Sequence, residues 1–448
     1  MPRFRTELTI AGIPFILSAM NPNAMPCEGG RHAGRRAPGA AHFRRCVSAA
    51  AVCALLFSAC ERSGKVRSIS EDNLFSIEYG NFEEQLNLFG SRNFGGVGTA
   101  LAMRDGFFYI VNGEAQKILS FNSYGDLLSV YYNEDAYSET NAGLPKKSSA
   151  GIWRSVSYPF HFNGRLAVDS RKFLYVVASV PKERSEQDEA DNLLYSQMVL
   201  RFSSDGSVID YIGQQGPAGT PFPYIQGLYA TENDELVVVC STNDGLCAYW
   251  FATNGFLRYQ IPVTAGGVPR ISPDVSGASD QDLFISIDTM VPDCYAERIY
   301  VKVDYYMPYI DEESKVQSGV SFVESAVYPL DIGSGVYGEP VVVPPFEESI
   351  TEDFSKLTFR QPYDFLGVTK NGWFFFIITT EDGFYVELIQ PASQYLLKRH
   401  FAVNHAATFY YSLALSHEGI ISALLAGKDD VKAVWWRTDN LIASILKS

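Results

Sequence analysis

Cysteine is scarce in this 448-residue sequence: there are seven, and no two of them are spaced Cys-x-x-Cys. That argues against a dithiol redox centre. Histidine is scarcer still. Beyond residue 60 it occurs at His161, His400, His405 and His417. None has the spacing of a zinc site, and His417-Glu418 lacks the second histidine that a zinc helix needs. No phosphate-binding loop, nucleophile elbow or dinucleotide fingerprint lies between a strand and a helix. The glycine-rich "GSGVYG" (333–338) reads as a hairpin turn. These gaps leave no cofactor motif. Long amphipathic helices are missing too, and "FEEQLNLF" (82–89) is the best candidate for a short one.

Positive charge is also in short supply where it would matter. Seven arginines and two acids fall within residues 1–59, which leaves 29 basic against 49 acidic side chains in residues 60–448, a formal charge of −20. A body this acidic repels phosphate backbones, which argues against nucleic acid as a partner. It also has no basic patch with which to dock on an anionic bilayer.

The longest apolar run is short. Cys46 to Cys60 covers 15 residues, where a spanning helix needs about 20. Arg44 and Arg45 precede it, with Arg31, Arg35 and Arg36 further back. A basic region, a short apolar run and small residues at its end describe a secretory signal. The run closes on Leu56-Phe57-Ser58-Ala59-Cys60, which resembles the lipobox of bacterial lipoproteins. Phe57, where leucine is commonest, is a relaxation similar to that of spirochaete lipoproteins. The resemblance implies removal of residues 1–59, with Met25 as a candidate translation start, and a lipid on Cys60. An uncleaved anchor and a non-lipidated signal are the alternatives. Each buried methylene contributes about 0.8 kcal/mol to membrane affinity, so two or three acyl chains anchor a protein stably. Residues 60–73, polar and without apolar periodicity, read as a tether to a body spanning 74–448.

What the body has in abundance is aromatic residues (14%, with 26 Tyr and 30 Phe) and turn formers (36 Gly and 22 Pro). Aromatic enrichment favours strands. Five stretches share one pattern of turn, apolar run, gap, second run and closing turn: 103–128, 168–179 continued by 197–209, 230–261, 368–397 and 415–442. Their runs are four to eight residues long, and their Asp-Gly, Asn-Asp and Asn-Gly pairs suit tight hairpins. A sixth, less regular unit comprises 281–290, 297–309 and 325–343. Four-stranded repeats of this size predict an all-β, six-bladed β-propeller of antiparallel blades, or a seven-bladed one if 263–359 holds two. The lone strand "NLFSIEY" (73–79) is expected to join the last blade and close the ring, which removes two sheet edges.

The phrases "KILSFNSYGDLL" and "VLRFSSDGSVI" are similar to NHL repeats, in which a hydrophobic strand ending in Phe is followed by Gly. The resemblance covers 97–262 and 360–445 and implies a fold, since its blades recur in enzymes, sensors and scaffolds alike.

Two sets of side chains are candidates for chemistry or binding. Cys240 and Cys247 flank a six-residue loop between two strands, so they could form a disulfide or remain buried thiols. Trp153, Tyr158, Phe160, Phe222, Tyr224, Tyr305, Tyr306 and Tyr309 lie in insertions between repeats, with Phe162 beside them. Rim aromatics offer large contact area at little entropy cost, although they can also pack beneath their own loops. The combined reading is an exported lipoprotein, held at the inner or outer membrane with its body in the periplasm. Its propeller would bind an envelope protein, peptide or glycan. A second reading is a channel-centred, metal-dependent lactonase or sugar dehydrogenase. Calcium-dependent propeller hydrolases hold such a metal with acids from separate blades, whereas Asp105 and Asp169 here occupy turn positions of the repeat. A third is an envelope-assembly factor.

Overall fold

The computed structural model describes residues 66–89, 98–136, 153–189, 192–271, 283–311, 316–352 and 355–446. Residues 1–65, which include the lipobox-like run, Cys60 and Met25, lie outside the described residues. The described chain is almost entirely strand and forms a β-propeller of six blades. In chain order the blades span 99–132, 161–213, 225–264, 284–343 and 364–402; the sixth combines 410–436 with 72–78. Blades 1 to 5 each run from an inner to an outer strand by antiparallel neighbours.

Strand Asp72–Glu78 pairs antiparallel with Asp430–Trp436, so the sequence-predicted closure holds. The ring therefore closes with one strand from the start of the body and three from its end. The region 263–359 contributes a single blade, plus a two-stranded hairpin of Phe346–Glu352 and Ser355–Gln361. Blade 4 is irregular because its second and third strands are long, Arg298–Ile310 and Gln317–Asp331, and project beyond their neighbours.

The repeat signal has a specific physical origin. In blades 1, 2 and 3 the turn between the third and fourth strands places Gly125, Gly206 and Gly255 at φ of 86°, 86° and 88°. A register shift follows in each blade, at Ser120/Phe121, Arg201/Phe202 and Trp250/Phe251. The glycine takes a turn conformation that only a residue without Cβ adopts cheaply, and the extra residue of each shift is Leu128, Ile209 or Arg258 on the fourth strand. The Phe-x-x-x-Gly spacing marks where the strand turns outward.

The apolar runs are buried on both faces because the blades stack on one another. One hydrophobic core fills each of the six blade-to-blade interfaces, from blade 1 against blade 2 round to blade 6 against blade 1. The largest side chains sit here, with Trp250, Trp373 and Trp436 fully buried.

Two local expectations fail. Residues 82–89 form a turn with an isolated bridge between Tyr79 and Leu86, and no helix. Leu86 is buried while Phe82 and Phe89 are 58% and 65% exposed, so the apolar residues share no face. The helix that does form is C-terminal, Thr438–Leu446, where the sequence reading saw only the end of a strand unit. Its Ile442 and Ile445 pack into the core between blades 5 and 6. Within the stretch 60–73 read as a tether, Arg67–Ser68 pairs with the outer strand of blade 5.

Candidate functional site

Every inner strand ends in a short turn to the second strand, and these turns meet on one face of the ring, called here the clasp face. Lys172 of blade 2 pairs with Asp105 of blade 1, and the Ser170 amide donates to Asp234 of blade 3. The Glu232 amide donates to the Cys294 carbonyl of blade 4 at 2.8 Å, and the Cys294 thiol donates to the Val368 carbonyl of blade 5 at 3.3 Å. Lys370 of blade 5 bonds to blade 6 twice, through its amide to the His417 carbonyl and through its amine to Glu418.

One charged group crosses the channel at this face and joins blades 1, 3 and 6. Arg104 donates to Glu232 at 2.9 Å, and the Nδ1 of His417 donates to the other carboxylate oxygen of Glu232. A carboxylate accepts only, so this contact places the proton on Nδ1, and the guanidinium stands 3.0 Å away from it. The hydrogen bond from His417, with the charges of His417 and Arg104, holds Glu232 at about 2 against an ordinary 4.5. A carboxyl depressed in this way stabilises the fold above its unfolded value, and that contribution is lost as pH falls from 4.5 toward 2. Denaturant unfolding between pH 5 and pH 2 should therefore show a fall in stability that Glu232→Gln flattens. An unchanged slope in the variant would remove Glu232 from the account.

Deeper in the ring, between blades 4 and 5, lies a second polar group. Lys302 is buried and donates to Asp288 at 3.0 Å and to both oxygens of Asp304, at 2.9 and 2.8 Å. Ser325 donates to Asp304 at 2.5 Å. Burial pushes the Asp304 carboxyl up even though Lys302 opposes it. Asp364 of blade 5, exposed at the start of its strand, is also raised, by desolvation and then by the charge of Asp288. Among the described residues no three His, Cys, Asp or Glu side chains converge as metal ligands would.

The sequence-predicted rim separates into core and surface. Phe160, Phe222 and Tyr305 are buried, with Phe162 beside them. They belong to the cores between blades 1 and 2, 2 and 3, and 3 and 4. Trp153 and Tyr158 are half-buried and pack against such cores. Tyr306 is half-buried, within a strand and edge-on to Phe322. Only Tyr224 and Tyr309 of the eight are exposed, at 58% and 55%.

Tyr224 lies on the face opposite the clasp. With Leu193, Leu194 and Pro223 it lines a cleft of about 380 Å³ between the small ribbon Glu186–Asp188/Leu193–Tyr195 and the hairpin turn of blade 3. Leu194 is 54% exposed beside it. Tyr309 stands with Ile310 near the tip of the projecting hairpin of blade 4, also on this face.

Cys240 and Cys247 do face each other across a hairpin, but the loop is two residues long rather than six, and both are buried free thiols. Burial pushes both thiols up, which keeps them protonated and unreactive. Cys294 is likewise buried and is pushed up to about 12. His161 is exposed, and His400 and His405 are half-buried. Arg104, Glu232, Lys302 and Asp288 escape a reading based on motifs. Their one signal in the sequence is the alternation "YVKVD" (300–304), which places Lys302 and Asp304 on one side of a strand whose neighbours are apolar.

No protein-family model matches the sequence, and no curated protein matches it. Among solved structures it is similar to a gluconolactonase from Xanthomonas campestris, at 10% identity and a TM-score of 0.37, over 84% of this chain and 98% of that one. It is similar to regucalcin, a calcium-binding protein from Agrobacterium tumefaciens, at 9% identity and a TM-score of 0.35, over 83% and 96%. An oligogalacturonate lyase in complex with manganese matches at 8% identity and a TM-score of 0.37, over 79% and 80%. Likenesses of this depth assign no chemistry to the chain, and its fold rests on the strand pairing described above.

Proposed function

We propose that the chain is a lipid-anchored protein of the bacterial envelope whose propeller binds a protein, peptide or glycan on the face opposite the clasp. The observation that carries this reading is the cleft beside Tyr224, where Leu194 and Tyr224 stand exposed. At the other end Arg104, Glu232 and His417 bind the channel walls to one another. Exposed aromatic residues at the lip of a cleft are the usual anchors of a binding surface. The lipobox-like run ending at Cys60 supports the membrane attachment.

A photo-crosslinking side chain at position 224 tests the binding reading in cells expressing the full chain. It should trap a discrete envelope partner, and the same substitution on an exposed outer strand should not. Tyr224→Ala should weaken that partner's binding by about 2 kcal/mol, roughly thirtyfold in affinity. Equal crosslinking from both positions would overturn the assignment.

A further inference from the structure

The cleft beside Tyr224 is built without charge. Its volume of about 380 Å³ falls in the range of small-molecule sites, and none of its nine described lining residues is Asp, Glu, Lys, Arg or His. The charged side chains of the adjoining turns, Lys182, Arg184, Asp188 and Asp244, lie outside the lining.

What the lining offers instead is a set of neutral hydrogen-bonding groups. The side-chain carbonyl of Gln197 accepts from the Ile225 amide at 2.7 Å. That contact fixes the plane of the side chain and leaves Nε2, with its two N–H donors, without a partner in the protein. The hydroxyls of Ser196, Thr242 and Tyr224 are likewise unpartnered among the described residues, and none of these four groups is sealed from solvent. Each hydroxyl can both donate and accept. The Ser241 hydroxyl donates to Gln226 at 3.2 Å and keeps its own accepting capacity.

The main chain beside these groups is closed. The Ser196 and Gln197 amides donate to the Phe222 carbonyl, the Phe222 amide donates to the Gln197 carbonyl, and the Ser241 amide donates to the Tyr224 carbonyl. An extended peptide binds by adding main-chain hydrogen bonds along a free strand edge, and these residues have no such row to give. The apolar part of the cleft is the Tyr224 ring with Pro223 and Leu194. A half-exposed ring gives the C–H face of a pyranose a surface to stack upon at little entropy cost.

We infer that the cleft takes a short neutral oligosaccharide, with one pyranose ring on Tyr224 and its hydroxyls on Gln197, Ser196 and Thr242. This inference rests on the binding reading proposed above and narrows it to one class of ligand. The physical argument is one of desolvation. An ion entering the cleft would shed water with no opposite charge to replace it, so uronates, phosphosugars and charged peptides are disfavoured. A neutral hydroxyl exchanges one hydrogen bond for another, and a site built to pair hydroxyls rejects ligands that lack them.

An array of short neutral and acidic oligosaccharides tests the class. The detergent-solubilised full chain, labelled on lysine, should be retained on at least one neutral member, with cellotetraose, maltotetraose and N-acetylated chitotetraose among the probes. It should not be retained on tetragalacturonate. Tyr224→Ala should lower the retention about thirtyfold. Gln197→Glu keeps the acceptor for Ile225 but replaces the free donor by a charge, and should lower it about tenfold. Tyr224→Phe keeps the ring and should keep most of the signal. Thermal unfolding shows that each variant is folded. Preference for tetragalacturonate, neutral binding that Tyr224→Ala leaves unchanged, or an array without retention would each overturn the inference. Photo-crosslinking at position 224 then separates the two claims. A trapped protein or peptide overturns the oligosaccharide class alone, whereas the absence of any discrete partner overturns the binding site with it.

Discussion

A chain that begins at residue 80 should not fold to a stable monomer, whereas one that begins at residue 66 should. The deletion removes strand Asp72–Glu78, the fourth strand of blade 6, and leaves Asp430–Trp436 as an open edge. It also strips Ile77 from the core between blades 6 and 1, together with Leu74, Phe75 and Tyr79, which pack against that core. Burying a side chain of this kind contributes about 1.5–3 kcal/mol, and a domain has about 5–15 kcal/mol of net stability. Four such losses plus the strand's hydrogen bonds use most of that margin. The exposed edge then offers a template for association with other chains. Size-exclusion chromatography and urea titration of the two truncations check this. A synthetic peptide of residues 66–79 should restore a cooperative transition to the shorter chain. Equal midpoints without the peptide would show that closure by this strand contributes little.

The second large effect is expected at Lys302. Its amine is buried against Asp288 and Asp304, and Asp304 is itself buried. Lys302→Ala leaves a carboxylate in the interior without its cation, which typically costs about 3–5 kcal/mol. Replacing both partners, Lys302→Met with Asp304→Leu, removes the charge and the need for it together, and should recover most of the loss. The effect has a definite pH dependence. Burial already raises Asp304 in the native state, so its ionised form disfavours folding as pH rises above its unfolded value. Without Lys302 that penalty grows, and the gap between Lys302→Ala and the unsubstituted protein should narrow as pH falls through the carboxylate range. Chemical denaturation at several pH values measures this. A Lys302→Ala variant within 1 kcal/mol of the unsubstituted protein at neutral pH, an order-of-magnitude margin for ordinary surface changes, would mean that Lys302 compensates no buried charge.

The architecture was legible because blades 1 to 3 repeat the same local necessity. A glycine at positive φ must follow the third strand, and Gly125, Gly206 and Gly255 announce it at the same distance from a buried phenylalanine. The closing strand was legible because Asn73–Tyr79 had no partner nearby while the last unit lacked a fourth strand. The aromatic rim was not legible. Phe160 and Phe222 sit in proline-containing insertions as Tyr224 does, and the sequence around them does not say which side chain the neighbouring blade covers. The cross-channel group was hidden for a different reason. Arg104, Glu232 and His417 come from blades 1, 3 and 6 and become neighbours only through ring closure. Residues 438–446 show the limit of pattern matching, since a repeat seeking a strand absorbed the first residues of a helix.

The order of synthesis gives the shared sixth blade a further meaning. Its outer strand leaves the ribosome near the start of the body, and the mate of that strand, Asp430–Trp436, emerges only at the very end. Until then the leading segment has nothing to zip to, so the ring closes only after every strand between the two has been made.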